Sequence, residues 1–374
     1  MESKRNDLLY TNVFKGLMIT FVVVGHAILL VLPEITNSTE KYVYMLLGKL
    51  LIPSVFAFFC FFGYSQGLSR KKMTKDKMKK RVKSTFFSYV IWASIAWIVF
   101  SLLGPGYNSV NNSFHYTKGM FFPINYFGSV MSFAVSWQYY FICIFIFGIF
   151  FLYFFRNTPL EKLKRYLYIF LGIQAAFYTF ISLFLWMASP SERSIRILGI
   201  CTYINPGSWI LPLFWGYYRG AEKKDIFGGL KPVVLIPMAV VFFFLSSTEM
   251  FFLSGKWNAY CVMDHFTLLT LINSIFMMFI YKKFVEWMIS IRAIWFRNLL
   301  DGLSTMGMFS IIPFYVHMPY QWFVFYFIKS TFFPQINTLL SFILLSIIGL
   351  MISYLSIVGI RLLPKKQKKV LLGI

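Results

Sequence analysis

Apolar residues run along this chain in blocks of about twenty, with charges gathered in short clusters between them. A helix needs about 20 mostly apolar residues to cross a bilayer. On that rule the blocks predict ten crossings: Val13–Pro33, Tyr44–Gly67, Thr85–Leu103, Trp137–Phe155, Tyr166–Met187, Ile197–Tyr218, Pro232–Ser247, Ala259–Ile280, Ser304–Ile328 and Leu339–Leu362. The sixth carries Pro206, Gly207 and Pro212, and the seventh is short. The expected fold is an all-α polytopic integral membrane protein of about ten transmembrane helices, one domain over residues 1–374 with a short basic tail at 363–374.

Composition strengthens that reading. Hydrophobic residues are 58% of the chain, aromatics 21% and charged residues 13%, against about a quarter charged in a soluble domain. No single soluble core hides so much apolar surface, whereas a bilayer solvates it. A net charge of +23 could point to nucleic acid, but its clustering between apolar blocks is that of cytoplasmic loops, so lipid and not nucleic acid is the expected partner. With the N-terminus inside, 29 of the 36 Lys and Arg fall on the inner side. Lys41, Lys49, Lys118, Arg193, Arg196, Lys256 and Lys329 lie on or towards the other. Both termini are therefore expected in the cytoplasm. The first block is long and lacks a small-residue cleavage site, so it reads as a retained span. Cys60, Cys143, Cys201 and Cys261 show no CxxC spacing and read as packing residues, with no metal expected. The basic stretch Ser69–Ser84 reads as a topology signal or a dock for a phosphate-rich ligand. The aromatic loop Gly104–Ser136 reads as a re-entrant or interfacial segment.

Ionisable groups inside a membrane are costly, so each is a candidate for function. His26 sits in the middle of the first block, and Lys15 lies eleven residues earlier, at its inner end. On a helix that spacing is three turns plus about 20°, with a rise of roughly 16 Å. A cation at the inner surface and an imidazole near the midplane thus share one face. The plainer alternative is a histidine satisfied by a neighbouring helix, with Lys15 as an ordinary anchor.

The stretch KGLMITFVVVGH, ending at His26, resembles the opening signature of the membrane acyltransferase 3 family, in particular its fucose 4-O-acetylase-like branch. Four further stretches resemble that family in order: IPSVFAFFCFFGYSQG (Ile52–Gly67), KKRVKSTFFSYVIW (Lys79–Trp92), SWQYYFICIF (Ser136–Phe145) and LSTMGMFSIIPFYVHMPY (Leu303–Tyr320). The chain departs from the pattern at four places. Lys15 stands where the wider family has Arg, Asn12 where the branch has Asp, Phe62 where a Ser is usual, and Ser84 where the basic loop has its second Arg.

The resemblance implies transfer of an acyl group, expected to be acetyl, from cytoplasmic acyl-CoA to a hydroxyl of an envelope or extracellular polysaccharide or its lipid-linked precursor. It implies a bacterial plasma (inner) membrane location and other membrane proteins of glycan synthesis as partners. His26 would be the catalytic base or acyl carrier. Lys15, Arg81 and Lys83 would face the CoA phosphates, as cations must. Asp264, His317 and Trp137 are further candidates for the acceptor site. His317 also reads as a helix-packing hydrogen bond, and Trp137 as part of an aromatic belt. Asp264 and His265 point about 100° apart on a helix and are not expected to pair. A transporter or flippase of an envelope glycan is the alternative from another class, although it has no evident use for an in-line Lys15/His26 pair. A third reading is a scaffolding protein that kept the fold and lost the chemistry.

Overall fold

The computed structural model describes residues 2–102, 123–131, 137–187, 202, 205–226, 232–256, 266–291, 293–325 and 337–372. All regular structure among them is helical. Fourteen α-helices follow in order: α1 Glu2–Val31, α2 Ser38–Leu51, α3 Pro53–Leu68, α4 Lys75–Leu102, α5 Pro123–Met131, α6 Tyr140–Phe154, α7 Leu160–Met187, α8 Ile210–Glu222, α9 Pro232–Lys256, α10 Leu268–Ser290, α11 Ile294–Met308, α12 Ile311–Phe323, α13 Thr338–Leu362 and α14 Lys365–Leu372.

Among the described residues seven segments are long and apolar enough to cross a membrane: Leu9–Glu34, Ser38–Leu68, Lys75–Val99, Leu160–Met187, Pro232–Leu253, Leu268–Ser290 and Thr338–Leu362. An eighth is broken. Where the apolar run predicts a continuous span over Ser304–Ile328, α11 and α12 meet at a bend of 94°. Pro313, in the first turn of α12, has no N–H to continue the hydrogen-bond ladder from α11, so a new helix starts there. The expected fourth span is the short apolar helix α6, and the expected sixth ends in α8 after a 3-10 turn at Pro206–Trp209. The outward side chains are apolar, among them Ile169 and Phe180 on α7, Val233 and Phe244 on α9, and Ile347 and Leu355 on α13. Lipid covers such a surface at no cost and water does not, so the chain is a multi-pass membrane protein.

α1 touches α2, α3, α10, α11, α12 and α13 and is therefore the axis of the bundle. Small residues let it be so. A Cβ on Gly16 would lie 1.8 Å from the Leu303 carbonyl oxygen, and one on Gly307 1.8 Å from that of Asn12, so α1 and α11 meet backbone to backbone. Two further glycine pairs join α3 to α8 in the same way. In place of hydrophobic driving force, which lipid does not supply between helices, such contacts gain packing.

Polar ties fasten the centre. The Gln321 amide donates to the carbonyl oxygens of Val23 (2.9 Å) and Leu345 (3.3 Å), drawing α12 to α1 and α13. Pro319 leaves the Tyr315 carbonyl without its helical donor, and the Tyr139 hydroxyl supplies one at 3.2 Å. Tyr89 holds the described part of the long aromatic loop, its hydroxyl donating to the Val130 carbonyl at 2.5 Å. The basic tail forms α14, whose Leu371 carbonyl accepts from Ser88 (2.7 Å) and Trp92 (3.2 Å) of α4. Lys49, counted with the outward cations, is 0% exposed. Its ammonium donates to Thr270 Oγ1 at 2.7 Å, because α2 lays it against the start of α10.

Candidate functional site

α1 is uninterrupted from Lys15 to His26, so the two side chains stand in line about 16 Å apart along one face. His26 is half-buried, and its Nδ1 lies 2.9 Å from the Val22 carbonyl oxygen one turn below. The fold brings His317 to it from 291 residues away: His317 Nε2 lies 3.0 Å from His26 Nδ1. The two rings are tilted by 47° with centroids 4.9 Å apart. His317 is 0% exposed, and its own Nδ1 lies 2.6 Å from the Pro313 carbonyl oxygen.

These contacts decide where the protons sit. A carbonyl oxygen only accepts, so His317 Nδ1 carries a hydrogen and donates it to Pro313. In a neutral imidazole the other nitrogen is then a lone pair, so His317 Nε2 accepts. His26 Nδ1 must be its donor, with the Val22 carbonyl as a second acceptor beside it. His26 Nε2 is then unprotonated too, and unlike His317 Nε2 it does not accept the hydrogen the two rings share. An imidazole held in this tautomer takes up a proton at Nε2, and the resulting cation keeps both acceptors at Nδ1–H. The arrangement follows the logic of an oriented catalytic histidine, with a neutral imidazole as the orienting group.

At the other end of α1, Lys15 is close enough to Arg81 of α4 for the two like charges to act on one another. The Arg81 guanidinium lies over the rings of Phe62 and Phe145, 5.6 Å from each centroid. Phe62 and Phe145 are thus the platform for this cation. Among the described residues neither Lys15 nor Arg81 has an ion-pair partner. Two apposed cations without a carboxylate make a place for an anion. Lys83 is exposed on another face of α4, with Nζ 5.8 Å from the Phe87 ring, and does not join them. Asp264 lies outside the described residues, as do His265, His115, Glu192, Arg193, Arg196, Cys201 and Cys261. Trp137 opens the turn Trp137–Tyr139 before α6, and its side chain is likewise outside them.

One cavity adjoins the histidine pair, and a second shares its Tyr44 wall. The first, of about 60 Å3, is lined by His26 itself together with Tyr44, Gly48, Leu51, Ser54 and Met250 among others. The second, of about 580 Å3, lies at the N-terminal ends of α2 and α13, with Glu40, Asn337 and Thr338 in its lining. Tyr44 is a wall of both. Neither Tyr44 nor Ser54 stands out in the sequence, and Lys49 does so only as one of the outward cations. Lys49 could have been found as a charge inside an apolar block, but the two hydroxyls carry no signal until the helices are packed. Among the described residues no group of three or more His, Cys, Asp or Glu gathers.

Compared with known proteins, the chain matches no family model, no curated protein and no solved structure.

Proposed function

We propose that this protein is a membrane O-acyltransferase of the acyltransferase 3 type, close to the fucose 4-O-acetylase-like branch. It moves a short acyl group from cytoplasmic acyl-CoA to a hydroxyl of an envelope polysaccharide or its lipid-linked precursor. The observation that carries the reading is the His26–His317 pair, which leaves His26 Nε2 as the basic nitrogen beside a cavity, in line with a cation pair at the far end of the same helix. In this reading both termini are cytoplasmic in a bacterial plasma membrane. α6 and the segment ending in α8 then bring the count of crossings to about ten. Lys15 and Arg81 hold the phosphates of the donor at the inner surface, and its acyl arm reaches inward to His26. The acceptor sugar enters from the open cleft at Glu40, Tyr44 and Asn337.

The reaction needs little beyond this. The acceptor hydroxyl gives its proton to His26 Nε2 as its oxygen attacks the acyl carbon. The C–S bond breaks, the electron pair leaves with sulfur, and the imidazolium returns the proton to the thiolate. An ester and a free thiol result. Proton transfer of this kind contributes about 10²–10⁴-fold.

Deletion of the gene tests the function. The expected result is glycan that reaches the surface in normal amount but lacks O-acyl esters by mass spectrometry. Glycan that stays inside with its esters intact makes the protein a flippase, and no change in either overturns both readings. The cation pair has its own prediction. Arg81→Gln or Lys15→Gln, reconstituted in proteoliposomes, should raise the KM for acyl-CoA about 10–100-fold, the worth of one charge-assisted hydrogen bond or two. The turnover number should change far less, and Lys15→Arg should restore binding. An unchanged KM in both Gln variants removes these residues from the donor site.

A further inference from the structure

A second group of cations stands apart from Lys15 and Arg81, where the end of α3, the turn between α6 and α7 and the C-terminal half of α8 meet. Arg70, just past α3, donates from Nη1 to the Thr158 carbonyl oxygen at 2.8 Å. Arg156 belongs to the same turn. It donates from Nη1 to the Tyr153 carbonyl oxygen at 3.1 Å, with its guanidinium over the Tyr153 ring, 3.8 Å from the centroid. Tyr217 of α8 brings a buried hydroxyl beside them. Both arginine charges act on it, Arg70 more strongly, yet it is aligned for a hydrogen bond with neither. Both arginines are half-buried, and among the described residues neither has an ion-pair partner. Glu161, in the first turn of α7, is exposed and pairs with neither of them.

Two like charges gathered at one turn repel, and half-burial weakens the water that would screen them, so the arrangement is completed by an anion. The fork of N–H donors on a guanidinium matches phosphate oxygens two at a time. Each of these arginines uses a single bond within the protein, so most of its donors remain for a ligand. The flanks of the turn indicate what carries the phosphate. Phe154, at the end of α6, is 73% exposed, and Leu160 and Tyr166 of α7 are exposed as well. A border between cations and outward apolar side chains is where a lipid phosphate and its acyl chains meet a membrane protein. We infer that Arg70 and Arg156 form a binding site for the phosphate of a phospholipid, in the leaflet that faces the basic loops. A headgroup with no cation of its own fits best, as in phosphatidylglycerol, since the ammonium of phosphatidylcholine is repelled by both arginines. A lipid held there ties the end of α3 to the turn that starts α7. The site does not depend on the acyl-transfer reading, in which Lys15 and Arg81 serve the donor and this pair is left to the bilayer.

The test is native mass spectrometry of the full chain in detergent, after incubation with equal amounts of phosphatidylglycerol and phosphatidylcholine. Wild type should retain phosphatidylglycerol about tenfold over phosphatidylcholine, and Arg70→Gln and Arg156→Gln should each lower that retention about tenfold, the worth of one charge-assisted hydrogen bond. Arg165→Gln removes an exposed cation of α7 and the same unit of charge, so it separates a site from general attraction; it should retain the lipid as wild type does. Phosphatidylglycerol should also raise the thermal midpoint of wild type where phosphatidylcholine does not, a comparison that needs no variant to fold. Equal retention of the two lipids by wild type would overturn the site. So would a loss in Arg165→Gln as large as in the other two, which is the diffuse pull of a basic surface. If an excess of acetyl-CoA displaces the lipid from wild type, the cations serve a soluble phosphate and the lipid assignment is wrong. No transfer rate enters these measurements, so a failure of the transferase reading leaves them intact.

Discussion

Replacing His26 by glutamine is expected to lower turnover in acyl transfer about 10³–10⁴-fold while leaving the donor KM within twofold. Glutamine is similar in size and polar, so the half-buried position on α1 stays filled and the bundle is undisturbed. What it lacks is a nitrogen that can take a proton and return it within one reaction cycle, and positioned general bases contribute about 10²–10⁴-fold. Binding of the donor, which the proposal gives to Lys15 and Arg81, should persist because Lys15 lies about 16 Å away along α1. His317 acts through His26, so its removal should cost less. His317→Ala frees the His26 ring to rotate and change tautomer, and about 10–100-fold is the expected loss. His317→Gln offers a carbonyl oxygen to His26 Nδ1–H and should recover part of it. Steady-state rates on proteoliposomes measure all three variants. Full turnover in His26→Gln would remove this residue from the chemistry, and a His317→Gln variant as poor as the alanine one would mean that the pair does not work through its shared proton.

A second large effect lies far from that site, where α3 crosses α8. Gly63 and Gly67 on one helix face Gly216 and Gly220 on the other, each pair spaced as G-x-x-x-G. A Cβ on Gly63 would lie 1.9 Å from the Leu213 carbonyl oxygen, and one on Gly216 1.8 Å from that of Cys60. Gly67 and Gly220 would each meet a tyrosine carbonyl oxygen, of Tyr217 and Tyr64, at 2.2 Å. These obstacles are backbone and cannot swing aside, so any side chain here must push the helices apart along their length. Gly216→Ala should cost about 1–3 kcal/mol, the usual range for overpacking. Gly216→Leu should leave no monodisperse protein on size exclusion in detergent. Gly172→Ala, on α7 where a Cβ meets nothing within 4 Å, is the control. It should keep or slightly raise the thermal midpoint, since alanine favours helix over glycine. A Gly216→Leu protein that is folded and as heat-resistant as wild type would contradict the close crossing.

How much of this could be read from the chain alone follows from which residues are neighbours in sequence. The apolar blocks determined the class of the fold, because about 20 residues must be apolar for a helix to lie in lipid, whatever packs beside it. The line from Lys15 to His26 was determined as well, since a helix fixes the angle and rise between residues eleven apart. The G-x-x-x-G pairs are written in the sequence too, but each is a common pattern and acquires meaning only when its partner helix is known. Other features had no local signal. The run Ser304–Ile328 is apolar throughout, so hydropathy makes it one span, and only the packing around Pro313 and Pro319 turns α12 away from α11. That turn sets His317 against His26 across 291 residues and thereby decides the tautomer of the pair. The same packing buries Lys49 on Thr270 and closes Tyr44 and Ser54 around a cavity. The sequence by itself determined that this protein lives in a membrane and that one helix carries a cation and an imidazole in line. Tertiary structure alone decided what that imidazole touches, because a hydrogen bond between distant residues depends on where whole helices cross, and apolar periodicity does not record that.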